Sequence, residues 1–269
     1  MEHQTVKHEL NQGVLILGLN RPERMNAVNE EMYSDLTQLL HHYRDDEKVR
    51  TVVLTGSVRV KDGVKKQAFC AGADLKKHST GERSQAQKRR YIEQAHEATK
   101  LLYRYPKPII AAVNGPARGA GVEMAVACDF LVMSDEATIA FPETGLGTFV
   151  GGGVTHHLPL NIGLMKAKEL IYTGKVLDAE AAVNLGLALT SYPMEIFMEQ
   201  VLELACNIAS KAPISIAMAK KHLQKAFMLD LETALQLETD AILACMETED
   251  WHEGVTAFAE QRKPEYRGR

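Results

Sequence analysis

Two glutamates stand beside glycine-rich segments, in surroundings that could support acid–base chemistry. Glu123 lies near the start of an apolar stretch that runs from Gly121 to Cys128, and Glu143 follows twenty positions later, ahead of glycines that end at Gly153. An ionised carboxylate in an apolar setting is costly unless it is paired or has a chemical task. The pattern favours a pair of carboxylates that move protons, although Glu123 could instead only stabilise the first turn of a helix.

The segment before Glu123 also predicts a site for a negatively charged oxygen. An apolar run ends at Asn114-Gly115, further glycines follow, and small apolar residues resume at Ala120, which indicates a strand, a tight loop and a buried helix. Glycines let backbone N–H groups approach a ligand, and the first turn of a helix has unpaired donors. A similar glycine-marked loop, 68–75, follows the apolar run 51–56.

The elements that position these loops alternate in type over the first two-thirds of the chain. Apolar runs predict strands at 14–19, 51–55, 109–113, 130–133 and 138–141. Asn29 is predicted to cap a helix that ends near Tyr43. The basic stretch Ser57–Lys66 is predicted to be a solvated loop, and 75–105 a mobile polar loop leading into a helix. From Leu164 the pattern is mostly helical, so we expect an α/β layer followed by helices.

Composition limits the class of protein. A chain of 269 residues with 45% hydrophobic content can bury a sizeable core, and a net charge of −4 gives no electrostatic case for nucleic acid. The four cysteines are far apart and lack metal-site spacing, which favours a reducing, cytoplasmic location. No apolar run approaches the roughly 20 residues of a membrane span, and no secretion signal opens the sequence, so no membrane partner is expected.

Other chemistries find weaker support. Gly145-Leu146-Gly147 departs from the dinucleotide-binding pattern and lacks the long apolar strand that precedes it. His156-His157 could suggest a metal ligand pair, but adjacent side chains point in different directions and no further ligand follows at a useful spacing. We interpret these histidines as structural or pocket-lining and predict no metal.

Three segments, 69–75, 119–129 and 142–153, resemble the enoyl-CoA hydratase/isomerase, or crotonase, family, and the resemblance is collinear over nearly the whole chain. It implies a crotonase-like α/β fold, in which repeated ββα turns form a spiral and a helical C-terminal region follows. We therefore divide the chain into a spiral core with the active site, 1–195, and a helical lid and trimerisation region, 196–269. The resemblance also implies an acyl-CoA thioester substrate, a homotrimer or a dimer of trimers, and no cofactor beyond the coenzyme A of the substrate.

The resemblance assigns roles to individual positions. The catalytic glutamates of family hydratases match Glu123 and Glu143, which would activate a water and deliver a proton to the α-carbon. The two backbone N–H groups of the family's oxyanion hole match Ala73 and Ala120. The positions that match substrate and CoA contacts are Arg24, Asn26, Ala27, Gly72, Asp74, Leu75 and Gly151. Alternatively, Asp74 caps a helix and Arg24 is a solvated turn residue.

The resulting hypothesis is an enoyl-CoA hydratase. An isomerase or another enolate-forming enzyme of the same fold is the alternative, and a non-catalytic RNA- or protein-binding module is a third, which the acidic charge and the intact glutamate pair disfavour. Departures from the family pattern at Val150, Val154 and His156-His157 indicate a reshaped pocket. Gln261 replaces a lysine that contacts CoA across subunits in some members. The polar stretch 76–90 is predicted to close over CoA as a lid.

Overall fold

The structure is a computed structural model that describes residues 4–61, 64–75 and 83–269, side chains at 61–66 excepted. The strands are β1 (Val6–Asn11), β2 (Val14–Leu19), β3 (Thr51–Gly56), β4 (Val58–Lys61), β5 (Val64–Gln67), β6 (Ile109–Val113), β7 (Ala117–Arg118), β8 (Phe130–Ser134), β9 (Thr138–Ala140), β10 (Leu177–Asp178) and β11 (Thr190–Tyr192). The helices are α1 (Glu30–Tyr43), α2 (Gln85–Arg104), α3 (Ala120–Val126), α4 (Val154–Ile162), α5 (Leu164–Thr173), α6 (Ala179–Asn184), α7 (Phe197–Ala209), α8 (Pro213–Leu223), α9 (Leu231–Met246) and α10 (Glu249–Ala259).

The main sheet has six strands in the order β1-β2-β3-β6-β8-β11. Only the edge pair β1–β2 is antiparallel, and the other neighbours are parallel. Alternate residues of the inner strands point to opposite faces, and both faces are covered, as parallel strands require. On β3, for example, Val52 and Leu54 join the larger core beneath the helices, whereas Val53 faces α7.

Short extended segments form a second layer, and they build the spiral. The Val28 segment pairs with Ala73, the Cys70 segment pairs with Ala117, and Ala117 pairs in turn with Ile139 of β9, all in parallel. Each turn of the chain therefore contributes one long strand to the main sheet, one short extended segment to this layer, and then a helix. This is the expected ββα spiral, and it places the loops at 70–75 and 117–120 side by side.

The first helix forms as predicted. The Asn29 side chain accepts a hydrogen bond from the Met32 backbone N–H at 2.9 Å, which caps α1 at its first turn. Met32, Leu36 and Leu40 are completely buried on one face. The prediction of a helix before Tyr105 is likewise confirmed by α2, which a Ser84–Gln87 capping box begins.

The prediction of a solvated loop at Ser57–Lys66 is wrong. Strands β4 and β5 form an antiparallel hairpin there, with Val58 opposite Gln67 and Val60 opposite Lys65. The physical reason is the alternation of valine with basic residues along β4, because valine favours extended backbone even where it is exposed. Val60 is in fact 70% exposed.

The C-terminal helices differ in how they meet the sheet. Phe197, Val201 and Ala205 of α7 are fully buried against the second face of the sheet, whereas α9 has no buried residue. The proposed division at residue 195 stays a prediction. The predicted lid at 76–90 lies partly outside the described residues, and its last part, from Gln85, belongs to α2.

Within the described ranges, no single helix is long and apolar enough to cross a membrane. Helices α7 and α8 pass that test only when they are joined, and a bend of 103° separates them. All four cysteines are free.

Candidate active site

Glu123 lies in the first turn of α3, and the residue is 8% exposed. Its Oε1 accepts a hydrogen bond of 2.6 Å from the Gly151 backbone N–H. Burial raises the pKa of Glu123 to about 7; the Gly151 hydrogen bond opposes this pKa shift, and the nearby charge of Glu143 adds to it. A carboxyl group with this pKa can both donate and accept a proton at neutral pH.

Glu143 begins a 3₁₀ turn, Glu143–Leu146, directly after Pro142. The residue is 7% exposed, and burial raises its pKa as well. Its Oε2 is buried and has no hydrogen-bond partner among the described residues. Its Oε1 lies 2.9 Å from the point that a Cβ on Gly119 would occupy, so this carboxylate abuts the N-cap residue of α3. A buried oxygen that has no partner within the described residues, such as this Oε2, is available to a substrate group.

The glycines that follow Glu143 in the sequence, Gly151 and Gly152, allow the backbone to approach Glu123 closely. A Cβ on Gly152 would lie 2.7 Å from the Glu123 Cβ and 3.1 Å from the Thr99 Cγ2, and the φ of Gly152 is +58°. A Cβ on Gly151 would lie 3.2 Å from the Glu123 Oε2. A larger residue at Gly152 would therefore displace Glu123 or the loop itself.

Two backbone N–H groups in neighbouring segments have no hydrogen-bond acceptor among the described residues. The bridge to Val28 uses the Gly72 carbonyl, at 2.8 Å, and the Asp74 N–H, at 2.9 Å, and leaves the N–H of Ala73 without an acceptor among the groups described. The N–H of Ala120, the first residue of α3, likewise has none there. The two segments are in contact, because a Cβ on Gly72 would lie 3.8 Å from the Ala120 nitrogen.

The positions matched to CoA contacts divide into exposed and buried ones. Arg24 and Leu75 are exposed, whereas Ala27 is buried and Asn26 is completely so. The Asn26 side chain accepts from the Arg21 N–H and donates to the Ser57 and Ala68 carbonyls at 3.0 and 2.9 Å. These bonds occupy its amide, so the Asn26 side chain shapes the turn rather than facing a ligand.

Asp74 has a partner that neither sequence-based interpretation included. Its Oδ2 accepts a 2.9 Å hydrogen bond from the Arg21 guanidinium, and both side chains are largely buried. Sequence reasoning missed Arg21 because it is 53 positions away from Asp74. The only local signal is its position in the same turn as Arg24.

Sequence reasoning also missed an aromatic pair near Glu123. Tyr33 of α1 is buried, and its ring centroid lies 6.0 Å from that of Tyr91 of α2. Burial raises the pKa of Tyr91 to about 12 and that of Tyr33 well above its ordinary value, with the charge of Glu123 contributing to both. Buried residues recur every three to four positions in α1, and this spacing could have identified Tyr33 as a core residue. It could not have shown that Tyr33 lies near Glu123.

His157 is a packed residue, as one of the two sequence-based interpretations expected. Its ring centroid lies 4.5 Å from that of Tyr103 and 5.2 Å from that of His156. Burial, with the neighbouring His156, lowers its pKa to about 4, so His157 is neutral at physiological pH. In the part of the chain that the structure describes, no group of three or more His, Cys, Asp or Glu side chains is arranged to hold a metal ion.

Comparisons with known proteins identify relatives over the whole length. A putative enoyl-CoA hydratase/isomerase of Bacillus subtilis is 37% identical over 98% of this chain and 97% of its own length. A crotonyl-CoA hydratase of Syntrophomonas wolfei is 33% identical over 99% of both chains. The crystal structure of an enoyl-CoA hydratase from Bacillus anthracis superposes with a TM-score of 0.92 at 34% identity, covering 99% of this chain and 100% of the other.

The family model described as enoyl-CoA hydratase/isomerase matches residues 9–269. Sequence match, superposition and the spiral topology agree over the same residues, which confirms the fold expected from the sequence. This chain belongs to the enoyl-CoA hydratase/isomerase family.

Proposed function

We propose that this enzyme is an enoyl-CoA hydratase that adds water across the 2,3 double bond of a 2-enoyl-CoA thioester to give a 3-hydroxyacyl-CoA. The observation that carries the proposal is the pair of buried glutamates, both with raised pKa, beside two backbone N–H groups that have no acceptor within the described ranges. Hydratase relatives such as the crotonyl-CoA hydratase of Syntrophomonas wolfei support the same reaction class.

The N–H groups of Ala73 and Ala120 are the proposed oxyanion hole. They would bind the thioester carbonyl oxygen and stabilise the enolate that forms when water attacks the β-carbon. Both donors belong to the backbone, so an alanine can serve at each position. Loss of one such donor typically costs about 3–4 kcal/mol of transition-state stabilisation.

Glu123 and Glu143 are the proposed acid and base. One carboxylate accepts a proton from the attacking water, whose oxygen bonds to the β-carbon, and a carboxyl group of the pair delivers a proton to the α-carbon. The overall reaction adds one water and needs no redox cofactor or metal. The raised pKa of both groups supports this proton exchange near neutral pH.

For the coenzyme A portion, we propose that Arg24, Leu75 and the backbone of Ala27, Gly72 and Asp74 line its path. Gly151 is proposed to contact the acyl group because its N–H donates a hydrogen bond to Glu123, which places it beside the proposed acid–base pair. The buried Asn26 side chain stabilises the turn that contains Arg24 and Ala27 through its hydrogen bonds to the Ser57 and Ala68 carbonyls.

An isomerase of the same fold is the second candidate. Isomerisation moves a proton between carbons and needs one base, whereas hydration must also position a water, so the two buried carboxylates favour hydration. We further propose a trimer or a dimer of trimers in the cytoplasm. The exposed apolar side chains of α9 and α10 support the assembly.

The test is a panel of 2-enoyl-CoA thioesters of increasing chain length, assayed by loss of the conjugated absorbance, beside 3-enoyl-CoA thioesters assayed for its appearance. The proposal expects hydration of at least one 2-enoyl-CoA with a higher kcat/KM than isomerisation of any 3-enoyl-CoA. Isomerisation without hydration would favour the second candidate.

A further inference from the structure

We infer that Arg21 is a positioning residue, which together with Asp74 holds the Ala73 backbone N–H in place to bind the thioester oxygen. The inference rests on the proposed function, because it assigns Arg21 a part in the oxyanion hole described above. Arg21 itself acts only through the groups that it holds.

The guanidinium of Arg21 joins two segments that meet beside Ala73. Its NH2 group donates to the Asp74 Oδ2 at 2.9 Å, and its NH1 group donates to the Ala27 carbonyl at 2.5 Å. The side chains of Arg21 and Asp74 are only 16% and 12% exposed. A planar guanidinium presents its donors in a fixed fork, so it can hold both acceptors at one spacing, which the flexible single ammonium of lysine cannot.

The backbone ladder around Ala73 explains why this spacing matters. The Ala71 N–H donates to Met25, the Val28 N–H donates to Gly72, and the Asp74 N–H donates back to Val28. These bonds flank Ala73 on both sides, and none of them uses its own N–H. The contact between Arg21 and Asp74 fixes the residue directly after that donor.

The turn that contributes Met25 and Val28 to this ladder is strained. Met25 and Asn26 have φ values of +54° and +55°, a left-handed region that is costly for Met25 and better tolerated by asparagine. Arg21 stabilises the turn at two points, because its N–H donates to the Asn26 side chain and its guanidinium to the Ala27 carbonyl. Loss of the guanidinium would therefore loosen both sides of the ladder at Ala73.

A direct role for Arg21 in binding CoA phosphates is disfavoured. Two of its donors are already occupied, the side chain is largely buried, and the Asp74 carboxylate beside it would repel a phosphate. Positioning and phosphate binding predict different kinetic effects, since only phosphate binding depends on the nucleotide part of CoA.

The experiment measures kcat and KM for Arg21→Gln, Arg21→Lys and Asp74→Asn with crotonyl-CoA and with crotonyl-pantetheine, which lacks the nucleotide. We expect kcat to fall about tenfold or more for both thioesters with Arg21→Gln, while KM changes less than about threefold. Arg21→Lys keeps the charge but not the fork, so its loss of kcat should be intermediate. An effect confined to KM for the CoA thioester would overturn the inference, as would unchanged kcat.

A spectroscopic readout separates this inference from the proposed reaction. Acetoacetyl-CoA ionises to an enolate that absorbs in the near ultraviolet, and a working oxyanion hole raises the enolate fraction of the bound ligand. We expect Arg21→Gln and Asp74→Asn to lower that fraction about fivefold or more at saturation. A wild type that binds the enolate but hydrates nothing would refute the hydratase proposal, while this measurement would still decide the role of Arg21.

Arg269→Gln is the matched control, because it removes an exposed pair in which the Arg269 Nε lies 2.9 Å from Glu249. It should leave both kcat and the enolate fraction unchanged. Thermal unfolding of every variant shows whether it is folded. If Arg21→Gln does not fold, the milder Arg21→Lys and Asp74→Asn decide the question, and an unchanged enolate fraction in both would overturn the inference.

Discussion

At the scale of single residues, Glu123 is placed where the demands of stability and chemistry oppose each other. Its burial raises the pKa of its carboxyl group to about 7, which suits proton exchange at neutral pH. The same burial penalises the ionised form in the folded protein but not in the unfolded chain. The site is therefore expected to lower the stability of the fold as pH rises.

The first prediction is that Glu123→Gln stabilises the protein more at pH 8 than at pH 5. Below the unfolded pKa of 4.5 the carboxyl is protonated in both states. Between 4.5 and about 7 the unfolded chain loses the proton while the folded protein keeps it, so wild-type stability falls, and above 7 the loss is complete. Glutamine escapes this loss, with a gain of at most roughly 3 kcal/mol.

Urea unfolding of the wild type and Glu123→Gln at both pH values measures this effect. The exposed Glu97, which pairs with Lys100 at 3.0 Å, supplies the control variant Glu97→Gln. A stability difference between wild type and Glu123→Gln that is the same at pH 5 and pH 8 would show that burial does not raise this pKa.

The second prediction concerns the glycine that packs on Glu123. Gly152→Ala places a Cβ 2.7 Å from the Glu123 Cβ at a φ of +58°, so it should destabilise the fold by about 1–3 kcal/mol. It should also reduce kcat by displacing Glu123. Gly145→Ala is the control, because a Cβ there meets nothing within 4 Å. Thermal unfolding and crotonyl-CoA hydration provide the measurements, and equal effects of the two variants would contradict the prediction.

The candidate residues that the sequence singles out are those with a local signal. Glu123 and Glu143 stand out because a carboxylate inside an apolar, glycine-rich stretch is unusual, and the structure buries both. Asn26 was placed in the right turn, but its amide faces Ser57 and Ala68 because the turn closes on a distant strand end. Arg21 could not be predicted, since its role depends on Asp74 in another turn of the spiral.

At the scale of elements, long apolar runs were predicted well and short mixed ones were not. The strand at 109–113 is buried at every position and was recognisable as β6. By contrast, β1 was missed because an edge strand exposes polar residues such as Lys7 and Glu9. The β4–β5 hairpin was missed for the related reason that its charges conceal a two-residue period.

The third prediction tests how α8 is attached to the core. Lys220 of α8 donates to the Asp129 Oδ2 at 2.6 Å, the two side chains are 7% and 18% exposed, and burial raises the pKa of Asp129. Lys220→Met leaves a largely buried carboxylate uncompensated and should destabilise the fold by about 3–5 kcal/mol.

Adding Asp129→Asn to Lys220→Met should restore part of that stability, because the uncompensated charge is then removed. Chemical unfolding of the single and double variants measures this coupling. Lys166→Met, which removes an exposed pair with Glu169, serves as the control. Additive losses in the double variant would contradict the buried ion pair.

At the scale of the whole molecule, the C-terminal helices leave a large apolar surface uncovered within one chain. Exposed apolar residues there include Leu231, Leu235, Ile242 and Phe258, at 67%, 52%, 58% and 88%. Surfaces of this kind are commonly covered by a partner. Sequence could predict the helices, but not which of their faces remain uncovered, since that depends on how α8 to α10 leave the sheet.

The fourth prediction is that the protein is a trimer or hexamer and that Leu235→Asp combined with Ile242→Asp dissociates it. Charged groups in an apolar interface lose hydration without gaining a partner. Light scattering at micromolar concentration measures the mass, and Val60→Asp on the exposed hairpin is the control. A monomeric wild type, or a double variant with unchanged mass, would contradict the assembly.

The most direct test of the proposed two-glutamate mechanism is hydration of crotonyl-CoA by the wild type, Glu123→Gln, Glu143→Gln and the double variant, beside isomerisation of a 3-enoyl-CoA. Each single change keeps the shape of the side chain and removes its proton-accepting charge, so each should lower kcat about 10²–10⁴-fold while binding survives. The double variant should lose little more than the worse single, because both groups act on one water. Near-wild-type hydration by either single variant, or a wild type that isomerises and does not hydrate, would contradict the two-glutamate hydratase.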